Sequence, residues 1–142
     1  MSIPIIRRLT NLLAYLLTAA ALAVSATAFA QDAKPGEDFL KAVDTKHYAE
    51  SWDVSSDLLK QSVSRVEWTS TMVKTRDPLG DVASRTLKSS VPQTNPQGAP
   101  PGEYLLVTYQ TVFSSQGAPY TETLPLIKSP DGRWRAVGYF IR

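Results

Sequence analysis

The feature that most limits the fold of this chain is a change of hydrophobic period at Asp77-Pro78-Leu79-Gly80. Before it, apolar residues recur three and four apart, the spacing of a helix face. After it they alternate, the spacing of a strand. Proline has no amide to give a helix ladder and restricts the residue before it, so the helical half ends there. A run of helices followed by a run of strands predicts an α+β domain with an antiparallel sheet.

Three short helices are expected upstream of the break. Phe39, Leu40, Val43 and His47 form one stripe of a helix starting near Gly36, with Glu37 and Asp38 in its first turn, where the helix dipole favours acid. Tyr48 and Trp52 continue the apolar surface on an adjoining stripe. The segment Asp53–Ser56 is rich in capping residues and starts a second helix carrying Leu58, Leu59 and Val63. Ser64 with Glu67 three residues on is a capping box for a third, which carries Trp68 and Met72.

Four antiparallel strands are expected downstream. The weakest alternation is Asp81–Val91, followed by a proline-rich loop over Pro92–Gly102. The clearest is Glu103–Phe113, where Leu105, Val107, Tyr109 and Phe113 share a face. Tyr120–Lys128 contains Pro125, whose missing amide must lie at an unpaired or bulged position. Ser129-Pro130-Asp131-Gly132 is a tight turn into a last strand, Trp134–Ile141. The simplest packing is three short N-terminal helices on a four-stranded antiparallel meander.

The first thirty residues stand apart. Arg7 and Arg8 precede the uncharged apolar run Leu12–Val24, and Ala28-Phe29-Ala30 places small residues where a signal peptidase reads. The competing reading, an uncleaved anchor, needs about 20 strongly apolar residues, and this run is shorter. We therefore expect residues 1–30 to be a cleavable signal peptide and 31–142 a single domain, exported to the periplasm or secreted. The chain has no cysteine, so that domain folds without disulfides. Arg7 and Arg8 are two of the 15 basic residues, and all 13 acidic ones follow Ala30, which leaves the remaining domain formally neutral. Neutrality gives no electrostatic reason to expect nucleic acid, or a membrane after cleavage, as a partner.

Several segments together resemble a known group. They are Tyr48-Ala49-Glu50-Ser51-Trp52, Arg76-Asp77-Pro78-Leu79-Gly80, Ser84-Arg85, Gly102-Glu103-Tyr104, Tyr109-Gln110-Thr111-Val112-Phe113 and the stretch from Asp131 to Ile141. In this order and spacing they resemble the exported bacterial proteins of domain-of-unknown-function family 4019, from about Phe39 to Arg142. The resemblance implies a cystatin-like or nuclear-transport-factor-like cone. Such folds host enzymes, small-molecule binders and interaction modules alike, so the resemblance implies no catalytic residue and no cofactor.

Chemistry-bearing residues are few. His47 is the lone histidine, with Asp44 three residues before it as a partner that can orient its ring. The bland alternative is a surface histidine beside a solvated aspartate. One histidine, no cysteine and no acidic cluster at ligand spacing give no metal site. No nucleophile elbow and no phosphate-cradling glycine loop are present. Arg76 and Arg85 flank the helix-to-sheet junction, where they can contact an anion. Their ordinary roles are complementing a helix dipole and decorating a solvated strand face, and these carry more weight. Tyr109 and Tyr139 can offer hydroxyls to a ligand inside a cone, whereas Trp52, Trp68 and Trp134 read as core.

No catalytic residue is assigned. His47, Arg76, Arg85, Tyr109 and Tyr139 are the candidate ligand contacts. The reading is a non-enzymatic binding or interaction module of the bacterial cell envelope, its partner an unknown protein or small molecule, with a homodimer through the terminal strand left open. The alternative is a small-substrate enzyme with a cone-shaped pocket, using His47 or a carboxylate as general acid or base.

Overall fold

A computed structural model of the chain describes residues 34–142. The leader expected over residues 1–30 and the boundary at Gln31 lie outside the described residues. Four α-helices come first: α1 (Lys34–Asp44), α2 (Tyr48–Asp53), α3 (Asp57–Ser62) and α4 (Arg65–Arg76). A 3₁₀ turn over Asp77–Leu79 leads to the strands β1 (Val82–Thr94), β2 (Glu103–Phe113), β3 (Tyr120–Lys128), β4 (Trp134–Ala136) and β5 (Phe140–Ile141). The α+β class and the antiparallel meander are as expected. No helix among the described residues is long and apolar enough to cross a membrane.

The helical half holds one helix more than expected, because the Phe39-to-Trp52 stretch breaks at Thr45-Lys46-His47. Lys46 adopts φ 62°, its amide donates to the Val43 carbonyl, and the His47 amide donates to that of Ala42. This is a Schellman stop, a position usually held by glycine. The Thr45 hydroxyl also donates to the Lys41 carbonyl at 2.8 Å, competing with helix continuation. The capping box of α4 forms as read: Ser64 Oγ accepts from the Glu67 amide, and the Glu67 carboxylate accepts from the Ser64 amide. Gly80, at φ 79°, ends the helical half just after Pro78.

The strands run β1–β2–β3, with β4 and β5 both paired to β3. The expected last strand is therefore in two pieces, separated by Val137-Gly138-Tyr139. Pro125 explains the gap. Its carbonyl accepts from the Val137 amide at 2.8 Å, so its own amide position faces the same side, where β4 stops. β1 runs through Pro92 to Thr94, further than expected, because an edge strand can spare one donor. Register shifts between Val82 and Ser84 and between Leu87 and Ser89, together with Lys88 and Pro92, blunt that edge against strand addition.

Helices cover one face of the sheet. Phe39, Leu40 and Val43 of α1 and Trp68 and Met72 of α4 pack on Leu105, Val107, Tyr109, Leu124 and Leu126. Trp68 belongs to this core, and its indole donates to Ser51 Oγ at 3.0 Å. Trp52 and Trp134 pack against it, half-buried. On β2 the period of two places Leu105, Val107, Tyr109, Thr111 and Phe113 on the covered face, all buried. The same parity turns Glu122 inward beside Leu124 and Leu126 on β3.

Candidate functional site

Polar chemistry concentrates where α1, α4, β1 and β3 meet. Arg85 projects from β1 opposite Thr111 of β2, and its guanidinium sits between two carboxylates. Nη1 and Nη2 donate to Asp44 at 2.6 and 2.9 Å; Nε and Nη2 donate to Glu122 at 2.6 and 3.0 Å. Arg76, 2% exposed at the end of α4, donates to the Gly80 carbonyl at 2.6 Å and to Asp44 at 3.2 Å. Its guanidinium stacks 4.4 Å from the centre of the Phe113 ring. Two arginines and two carboxylates thus cancel in one cluster tying two helices to the sheet.

Glu122 is wholly buried, and its carboxylate also accepts from the hydroxyls of Thr111 and Tyr139. With two bonds from Arg85 that makes four, which uses the acceptor capacity of a carboxylate. Arg85 spends four of its five N–H groups on Asp44 and Glu122. Burial works against the charge of Arg85, but the bonds to Asp44 and Glu122 outweigh it and push its pKa above the ordinary arginine value.

The structure brings together three of the five sequence candidates. Arg76, Arg85 and Tyr139 share the cluster, and Tyr109 lies beside it with its ring centre 5.9 Å from the Arg85 guanidinium. Arg85 does not decorate a solvated face as expected: the register shift after Val82 turns it inward, and the anions it meets belong to the protein. Arg76 does lie at the helix end, but buried. The fifth candidate, His47, stays apart. It is exposed at the start of α2, and its Nδ1 lies 2.8 Å from Thr45 Oγ1. Asp44, expected to orient it, is taken by the arginines because the Schellman turn separates the two residues.

Sequence reasoning missed Glu122 and Thr111. The signal was present: Glu122 shares strand parity with Leu124 and Leu126, and an acid on a buried face demands a cation. A second tyrosine–carboxylate contact joins Tyr48 of α2 to Asp77 after α4.

A cleft of about 420 Å³ opens beside the cluster, between α1 and the β1–β2 hairpin. Leu40 and Leu87 form its apolar walls, Tyr109, Asp44 and Arg85 its inner side, and Glu37 and Lys41 its rim. Trp68, Met72, Tyr120, Tyr139 and Phe140 contribute to a second cleft of about 350 Å³ beside α4. Among the described residues no group of three or more histidines and acids is placed to hold a metal.

Three tyrosines are held un-ionised. Burial raises the pKa of each. The bond and charge of Asp77 add to it at Tyr48, the charge and bond of Glu122 at Tyr139, and the charge of Glu37 at Tyr109. Folded values above the unfolded one stabilise the fold fully below about pH 10, the ordinary tyrosine range. That contribution is lost as pH rises through the folded values. Absorbance at 295 nm during an alkaline titration should show Tyr48 and Tyr139 ionising only as the chain unfolds, and Tyr109 ionising above the ordinary tyrosine range. Ionisation of all tyrosines near pH 10 with the fold intact would contradict the placement.

Comparison with curated proteins gives no match. The family model described as protein of unknown function, DUF4019, matches residues 35–139, nearly all of the described domain. The helices from residue 35 on, strands β1 to β4 and the buried charge cluster fall within that match, and the chain belongs to the DUF4019 family.

Proposed function

We propose that the chain is exported, loses residues 1–30 after Ala30, and works in the bacterial cell envelope as a non-enzymatic binding module. Its binding site is the cleft between α1 and the β1–β2 hairpin. The observation that carries this reading is the saturation of Glu122. A general base needs a lone pair facing substrate, and all four acceptor sites of this carboxylate are occupied inside the core. The cluster holds the fold, and the open cleft is left to bind. The enzyme alternative gains no support from His47, which lies on the surface bonded to Thr45. A homodimer through the terminal strand gains little either, since β5 is two residues long.

The test is to express the full-length chain in a Gram-negative host and record native mass spectra of the product from the periplasm. The spectra should show a chain beginning at Gln31. After incubation with the small-molecule ultrafiltrate of an envelope extract, they should show an adduct whose ligand is recovered chemically unchanged. Retention of Met1 in the cytoplasm would contradict export, and conversion of the ligand would contradict a binding role.

A further inference from the structure

We infer that the cleft between α1 and the β1–β2 hairpin takes a small zwitterion with an apolar substituent, of the size of an apolar dipeptide. The inference rests on the binding-module reading and assigns its ligand class.

Tyr109 is the first ground. It is 7% exposed and lines the cleft, yet its hydroxyl has no hydrogen-bond partner among the described residues. That oxygen is not among the buried polar atoms left without a partner, so it is open to the cleft. The neighbouring hydroxyl of Tyr139 has Glu122, and that of Tyr48 has Asp77. Tyr109 therefore brings an unused polar atom to the cleft.

Charge is the second ground. Asp44, Arg76, Arg85 and Glu122 cancel one another, so the cleft takes its net character from Glu37 and Lys41. These lie four apart on α1 with the acid first, the favourable order for a helix ion pair. They form no such pair, and neither has another ion-pair partner among the described residues. The charge of Glu37 reaches the Tyr109 hydroxyl, where it helps raise that group's pKa after burial. A ligand ammonium fits between Glu37 and the Tyr109 oxygen, and a ligand carboxylate fits against Lys41. The remaining contact is apolar: Leu87 is 46% exposed and shares the cleft with the buried Leu40. A volume of about 420 Å³ accommodates two small side chains besides the charged ends.

Calorimetric titration of the purified chain tests the assignment with three probes. They are leucyl-leucine, its N-acetyl derivative without the ammonium, and leucyl-leucinamide without the carboxylate. Leucyl-leucine should bind saturably, and each blocked probe at least about tenfold more weakly, as expected for one lost charge-assisted hydrogen bond. Glu37→Gln, Lys41→Gln and Tyr109→Phe should each weaken leucyl-leucine binding by a similar factor. The first two lie on the exposed side of α1, and the third removes a single oxygen, so circular dichroism should show the fold unchanged. Equal binding of all three probes, or no saturable binding of leucyl-leucine, would overturn the zwitterion. A native-mass adduct of another composition would then leave the binding module standing, whereas no adduct of any kind would remove both.

Discussion

Replacing Arg85 by methionine is expected to lower folding stability by about 3–5 kcal/mol, the usual cost of removing one partner from a buried ion pair. The side chain is 16% exposed, and both carboxylates it serves are largely or wholly buried. Methionine fills much of the volume but leaves Glu122 and Asp44 with only Arg76 to balance two charges. Glu122 would keep just its bonds from Thr111 and Tyr139. A loss of this size is a large part of the roughly 5–15 kcal/mol that holds a typical domain together. Urea titration followed by circular dichroism measures it. Arg65→Met is the control, because Arg65 makes an equally well-formed bidentate pair with Asp53, but in solvent. That variant should leave the urea midpoint where it is. Equal losses from the two would mean that burial of the cluster does not set its worth.

Phe39→Ala should be comparably damaging, by about 3–5 kcal/mol. Phe39 is 1% exposed, and its ring meets Trp68 of α4 at 6.1 Å between centres and Tyr139, just before β5, at 6.0 Å. It joins α1 to the other helices and to the end of the sheet, so truncation loses buried area and opens a cavity where three elements meet. Phe39→Leu keeps most of the apolar volume and should cost less than about 1.5 kcal/mol. The same urea titration compares them. A small loss for the alanine variant would show that α1 packs on the sheet without this ring.

Much of the architecture was legible in the sequence because it rests on local signals. Pro78 and Gly80 end the helices, Ser64 and Glu67 cap α4, and alternation along β2 marks the buried face. The break after α1 was not legible, since Lys46 takes the left-handed position that glycine usually advertises. The split of the last strand was half legible: Pro125 announces a missing donor, but not which neighbour does without it. The site divides the same way. Arg76, Arg85, Tyr109 and Tyr139 stand out by residue type and position. Glu122 joins two of them, Arg85 and Tyr139, and Asp44 links Arg76 to Arg85; the inward direction of Glu122 follows from strand parity, but its partners come from three other segments of the chain. His47 draws attention as the lone histidine, and a turn of backbone leaves it outside.

The central claim is that Glu122 is sealed within a charge cluster that holds the fold, and is not a carboxylate open to substrate. Carboxyl footprinting tests it most directly: the native chain is treated with a water-soluble carbodiimide and glycine ethyl ester, and modified sites are read by peptide mass spectrometry. The exposed carboxylates of Glu37, Asp38, Glu50 and Glu67 should label readily, while Glu122 stays unlabelled until urea unfolds the chain. Labelling of Glu122 in the native chain at the rate of those exposed groups would contradict the claim and restore the general acid–base reading.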